Sequence, residues 1–177
     1  MNSSKTFSRK ALPLAISLLA LSLSGGALAG TATDNLGVSA SVSDNCLIDA
    51  SAGLDFGAYD PIDTNASTDL QGSGTISVTC TDGASATVTL SQGANADAGS
   101  TDAAPLRRMT DGADYLSYTL YQENTYTTVW GNTAGTGVGH TGTGSSADLT
   151  VYGEVTQGQN SASAASYSDT VVATITF

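Results

Sequence analysis

Apolar and polar residues alternate with period two near both ends of the chain. Leu36, Val38, Ala40 and Val42 share one face of a stretch whose other face is Gly37, Ser39 and Ser41. This is the pattern of a strand with one buried side. At the far end, Val171, Ala173, Ile175 and Phe177 alternate with Val172, Thr174 and Thr176. Most termini are frayed and polar, so a strand running to the last residue predicts an end that is itself held in place. Further strands are predicted at residues 54–56, at 75–80 with Ile76, Val78 and Cys80 inward, and at 86–90 with Ala86, Val88 and Leu90 inward. Residues 115–121 put Leu116, Tyr118 and Leu120 on one face, residues 126–130 are aromatic and β-branched, and Leu149, Val151 and Val155 alternate again. Asp82-Gly83 predicts a hairpin between the strands it separates. With Gly-, Ser- and Thr-rich turns and no helical periodicity past the leader, these short strands predict an all-β sandwich of the immunoglobulin-like kind.

The first residues read as an address. Lys5, Arg9 and Lys10 precede an apolar run over residues 11–23, and Ala27-Leu28-Ala29 is a small-residue cleavage site before Gly30. The run is too short to span a bilayer comfortably, which disfavours a retained anchor. Residues 1–29 are therefore expected to be a secretory signal peptide, 30–43 an N-terminal strand segment and 44–177 the β-sandwich. Three of the five basic residues leave with the leader, so Arg107 and Arg108 face all sixteen acidic residues, a formal charge of −14. That argues against nucleic acid and anionic lipid surfaces as partners. The acids are scattered singly, as on a solvated surface.

Two cysteines behind a secretory leader make a disulfide between Cys46 and Cys80 the default expectation. A zinc site wants about four ligands, and only His140 could join the two thiols. No cofactor is expected. Residues 137–142 match G-x-G-x-x-G, but no strand–helix unit follows, so a dinucleotide reading fails and residues 131–146 are expected to be a flexible loop with His140 on its surface. Residues 93–102 are expected to be another variable surface loop. The chain has no nucleophile elbow, zincin helix or calcium loop, and it is expected not to be an enzyme. Asn65-Ala66-Ser67 fits the short glycosylation pattern and is assigned no role.

The leader, residues 36–42 running into Asp44-Asn45-Cys46, the element Leu54-Asp55-Phe56-Gly57, residues 74–80, and the ending Tyr-x-Asp-Thr-(apolar)2-x-Thr-x-Phe over residues 167–177 carry a resemblance. Together they resemble the spore coat protein U domain family, which includes major pilins of archaic chaperone–usher pili such as the Csu pilus. In this reading "spore coat" carries no implication of sporulation. The resemblance implies an immunoglobulin-like sandwich lacking its last strand, export to the periplasm, capture by a pilus chaperone, passage through an outer-membrane usher, and head-to-tail assembly with identical or related pilins at the cell surface. Leu36, Val38, Ala40 and Val42 would be the donor strand. Val171, Ala173, Ile175 and Phe177 would border the receiving groove and bind the chaperone. Type 1 and P pilins carry a glycine where this chain has Ala164, so their terminal rules do not transfer. Adhesion and biofilm formation are the implied service. The alternative is a self-contained β-sandwich adhesin or carbohydrate-binding module using Trp130 and Tyr126.

Overall fold

The computed structural model describes residues 29–177; the predicted leader lies outside the described residues except for Ala29. The chain divides after Ala40 into two units. Within the first, residues 29–40 form no strand and are exposed throughout, Leu36 and Val38 at 89% and 87%. The predicted N-terminal strand is thus an exposed segment without a ladder. A strand needs a neighbour to take its main-chain groups, and alternation alone does not supply one.

The second unit, Ser41–Phe177, is built from eight strands: β1 (Cys46–Asp49), β2 (Leu70–Cys80), β3 (Ser85–Leu90), β4 (Arg107–Thr110), β5 (Tyr115–Tyr121), β6 (Val138–Thr141), β7 (Ser146–Val155) and β8 (Ala173–Thr176). They form two antiparallel sheets with orders β1-β2-β7-β5-β4 and β6-β3-β8. The inward residues are those the alternation marks. Ile76, Val78, Val88, Leu90, Leu116, Tyr118, Leu120, Val151 and Val155 are buried in one core with Trp130. Each aliphatic side chain fully buried there contributes roughly 1.5–3 kcal/mol.

Cys46 lies directly opposite Cys80 in the β1–β2 ladder, and the two form a disulfide with Cα atoms 4.1 Å apart. Ala84 and Ala86 share its cluster, and Ile175 packs against it. Small side chains let the sheets converge at this end.

Several sequence expectations are corrected. Asp82-Gly83 is a turn, with Gly83 at φ 81°, but the strands beside it belong to different sheets, so it is a corner and not a hairpin. A turn dipeptide reports local backbone shape and not which strands pair. Residues 126–130 make only an isolated bridge, Val129 to Tyr121, and deliver Trp130 into the core. The supposed flexible loop at 131–146 contains β6, paired with β3 from Ser85–Thr141 to Val88–Val138. Glycines hide this strand from a hydrophobic pattern; at Gly137 a Cβ would come within 2.7 Å of the Thr87 methyl and 2.8 Å of the Val88 carbonyl. β4 was also unseen, because two adjacent arginines begin it.

Residues 54–56 form no strand, although they keep the alternation, with Leu54 and Phe56 half-buried and Asp55 exposed. Side chains anchor them instead. Phe56 lies over a glycine platform, where a Cβ on Gly153 would meet its ring at 2.7 Å and one on Gly72 at 3.2 Å.

Candidate functional site

The sheets close at the disulfide and part away from it, leaving an open groove of about 1080 Å³. Its floor is the inner face of the larger sheet, including Ile76, Leu116, Leu120, Val151 and Val155. One wall is residues 53–62 and the other residues 162–171 with Ala173. Both walls expose main chain. Residues 54–59 make no backbone–backbone hydrogen bond among the described residues; Tyr59 is held through its side chain, its hydroxyl donating to the Thr156 carbonyl at 2.9 Å. β8 pairs with β3 on one side only.

The C-terminal wall passes from one sheet to the other. Ser168 bridges Thr110 at the end of β4, Ala94 N–H donates to Thr170 at 3.0 Å, Ser91 N–H donates to Val172 at 2.9 Å, and Ala173–Thr176 then join β3. Of the residues predicted to border the groove, Val171 and Ala173 line it. Ile175 does not: its register opposite Val88 puts it where the sheets converge on the disulfide. Phe177 lies beyond the strand and is 53% exposed. The other predicted set, Leu36, Val38, Ala40 and Val42, is exposed, Val42 at 86%.

Sequence reasoning missed a polar network at the groove. The Tyr118 hydroxyl donates to Asp169 Oδ2 at 2.7 Å, and both residues line the groove. Burial, then this bond, pushes the Tyr118 hydroxyl well above the usual phenol range. Arg107 is buried beneath, where burial lowers its pKa to about 10, still a cation at neutral pH. The signal available was Asp169 itself, an acid standing just before the alternating residues 171–177.

Other candidates lose their chemistry. Trp130 is fully buried with its indole N–H donating to the Val88 carbonyl at 2.9 Å, so it cannot stack a sugar with Tyr126. Asn65 is 4% exposed, accepts from Asp60 N–H and donates to the Thr68 carbonyl, each at 2.9 Å; its side chain clamps a turn. His140 sits half-buried on β6 opposite Ala86, not on a loop surface. Among the described residues no group of three His, Cys, Asp or Glu could hold a metal, and no helix is long and apolar enough to cross a membrane.

Comparison with solved structures places the fold. One match, at TM-score 0.50 and 15% identity, is the crystal structure of the CsuC–CsuE chaperone–tip adhesion subunit pre-assembly complex from archaic chaperone-usher Csu pili of Acinetobacter baumannii. It covers 77% of this chain, which spans 40% of the matched one, and at that identity it supports the immunoglobulin-like sandwich alone. Among curated proteins, Protein U of Myxococcus xanthus is 49% identical over 184 residues, all of both chains. The Spore Coat Protein U domain matches residues 32–174. A sandwich with an open groove, a whole-length relative and a domain match over most of the sequence agree: the chain belongs to the Spore Coat Protein U domain family.

Proposed function

We propose that the chain is a structural subunit of a surface pilus, assembled by donor-strand exchange through a chaperone–usher pathway and serving adhesion and biofilm formation. The observation that carries this reading is a groove with one wall, residues 54–59, free of backbone–backbone bonds among the described residues and a second leading into β8, which pairs on one side only, in the same protein as an exposed strand pattern that lacks a ladder. Leu36, Val38, Ala40 and Val42 of one subunit enter the groove of the next as alternate-face anchors, and main-chain bonds to residues 54–59 and to the C-terminal wall complete the ladder. This also accounts for the absent strand at residues 54–56: its neighbour is supplied by another molecule. Donor and acceptor are different surfaces, so the contact is head-to-tail and grows a filament.

In this reading residues 1–29 are removed on export, 30–43 are the donor segment and 44–177 the acceptor domain. A periplasmic chaperone strand fills the groove first, along Val171 and Ala173, with Ile175 and Phe177 beyond them. The outer-membrane usher then exchanges it for the next subunit's donor. The subunit is structural and needs no cofactor.

A second reading is favoured by the description of the family whose domain matches residues 32–174, Spore Coat Protein U. The same exchange would build a coat layer instead of a free fibre. Electron microscopy of cells expressing the chain with and without residues 30–42 tests both. Filaments lost on deletion support the pilus, a continuous layer lost on deletion supports the coat, and no change overturns strand exchange itself.

A further inference from the structure

Asp169 uses both carboxylate oxygens to tie the groove together. Its Oδ1 accepts from Ala94 N–H at 2.9 Å, Asn95 N–H at 3.2 Å and the Asn95 amide at 3.0 Å. Its Oδ2 accepts from Tyr118 on the floor. Gly93, at φ 85°, lies so close that a Cβ there would collide with the carboxylate. The Tyr118 ring in turn meets Phe56, from the opposite wall, edge-on at 5.9 Å between centroids. One polar and aromatic chain therefore runs from wall to floor to wall.

Arg107 braces it. It stands opposite Tyr118 in the β4–β5 register and is 1% exposed. Its Nε donates to the Ser91 carbonyl at 2.8 Å, and one Nη donates to the Leu90 and Trp130 carbonyls, each at 2.9 Å. Ser91 passes this on to the wall, its hydroxyl accepting from Val172 N–H at 2.8 Å. Burial disfavours the guanidinium cation, and the Asp169 carboxylate is the charge that favours it.

An unfilled apolar groove gains by closing, because closure removes its lining from water. Directional bonds at fixed length resist that. We propose that Asp169 is a positioning residue that sets the groove's width by tying the C-terminal wall to the floor, holding the site open before a strand arrives. The proposal rests on reading the groove as a strand acceptor. Bonds to a charged group are the strong class, so the cost of losing them appears as affinity for the incoming strand.

The test uses the full exported chain carrying Val38→Asp and Val42→Asp, which cannot donate, titrated calorimetrically with a synthetic peptide of native residues 31–43. Adding Asp169→Ala should weaken the peptide about tenfold. Tyr118→Phe, which keeps the ring and removes only the hydroxyl, should weaken it about fivefold, and reports even if Asp169→Ala fails to fold. Val78→Ala, in the core and away from the groove, serves as the stability control: it should lower the melting temperature but leave the affinity within about twofold. A parent that binds no peptide overturns the acceptor reading and this proposal with it. A parent that binds, with Asp169→Ala and Tyr118→Phe binding equally well, overturns the positioning role alone. So does a Val78→Ala chain that loses affinity as much as they do.

Discussion

Residues 36–42 and 171–177 carry the same apolar–polar alternation, yet Leu36, Val38 and Val42 are 86–89% exposed, while Ala173–Thr176 pair with β3 from Leu90 to Thr87. The face pattern does not separate them: both place apolar residues at alternate positions, with Leu36 opening one and Phe177 closing the other. A partner does. β8 has β3 to take its main-chain bonds and a core against which Val171 and Ile175 pack, whereas residues 29–40 form no strand. Residues 54–59 are intermediate, anchored by Leu54, Phe56 and Tyr59 yet without ladder bonds. Alternation assigns a face; the ladder comes from somewhere else in the chain, or from another chain.

The largest expected effect breaks the comparison at the paired end. Stopping the chain after Thr174 removes Ile175 and Thr176 from the β3 ladder and should abolish soluble subunit in periplasmic extracts, whereas deleting residues 30–42 should leave the yield intact. Equal solubility of the two truncations would mean that the ends do not differ as described.

Next is a charge on the unpaired end. Val38→Asp should reduce assembly ~100-fold or more, because an unpaired carboxylate entering an apolar groove costs several kcal/mol. The melting temperature of the monomer should not move, since the side chain is exposed there. Ser39→Asp, on the other face, should leave assembly rates near those of the parent. Light scattering of purified chains measures assembly and thermal unfolding the melting temperature, and equal damage to assembly from the two charges would put the register of the donor strand in error.

Removing the disulfide acts on the domain and spares the unpaired end. Its two cysteines are 34 residues apart, and Cys46→Ser with Cys80→Ser should cost about 3–4 kcal/mol by the chain-entropy account. Urea unfolding measures it, and an unchanged midpoint would mean that the sheets close without the bridge.

The smallest effect should leave both ends alone. The Glu123 carboxylate accepts from the amides of Thr127 and Thr128 at 3.1 and 2.6 Å and from the Thr127 hydroxyl at 2.6 Å. These bonds, that of the Thr127 hydroxyl first, lower its pKa from 4.5 to about 2. A depressed carboxylate stabilises above its unfolded pKa, so this contribution is whole above pH 4.5 and is lost as pH falls towards about 2. Amide NMR shifts of Thr127 and Thr128 should titrate with a midpoint near pH 2, and that transition should be absent in Glu123→Gln.

The groove was legible only in part. Parity puts Val171, Ala173, Ile175 and Phe177 on one face, and the resemblance puts that face at a groove; Val171 and Ala173 line the groove and Ile175 and Phe177 do not, because a period of two cannot show where along a strand the sheets converge. The Tyr118–Asp169 bond joins residues 51 apart in sequence, and no local pattern announces such a pair. β6 is hidden for a different reason: with Gly139 inside it and Gly137 and Gly142 on either side, it has too few side chains to show a face.

The sequence by itself determined the class of fold, the faces of the long strands and the chemistry of the cysteines. These follow from side-chain period and from the redox context that a leader implies, both local properties. The tertiary structure decided which strands share a sheet, where the sandwich stays open and which polar groups hold the opening. Those depend on contacts between residues far apart along the chain. The turn at Asp82-Gly83 shows the difference: its residues set the bend, but the pairing of the flanking strands into different sheets makes it a corner, with Gly83 N–H donating to the distant Gly142 carbonyl at 2.9 Å.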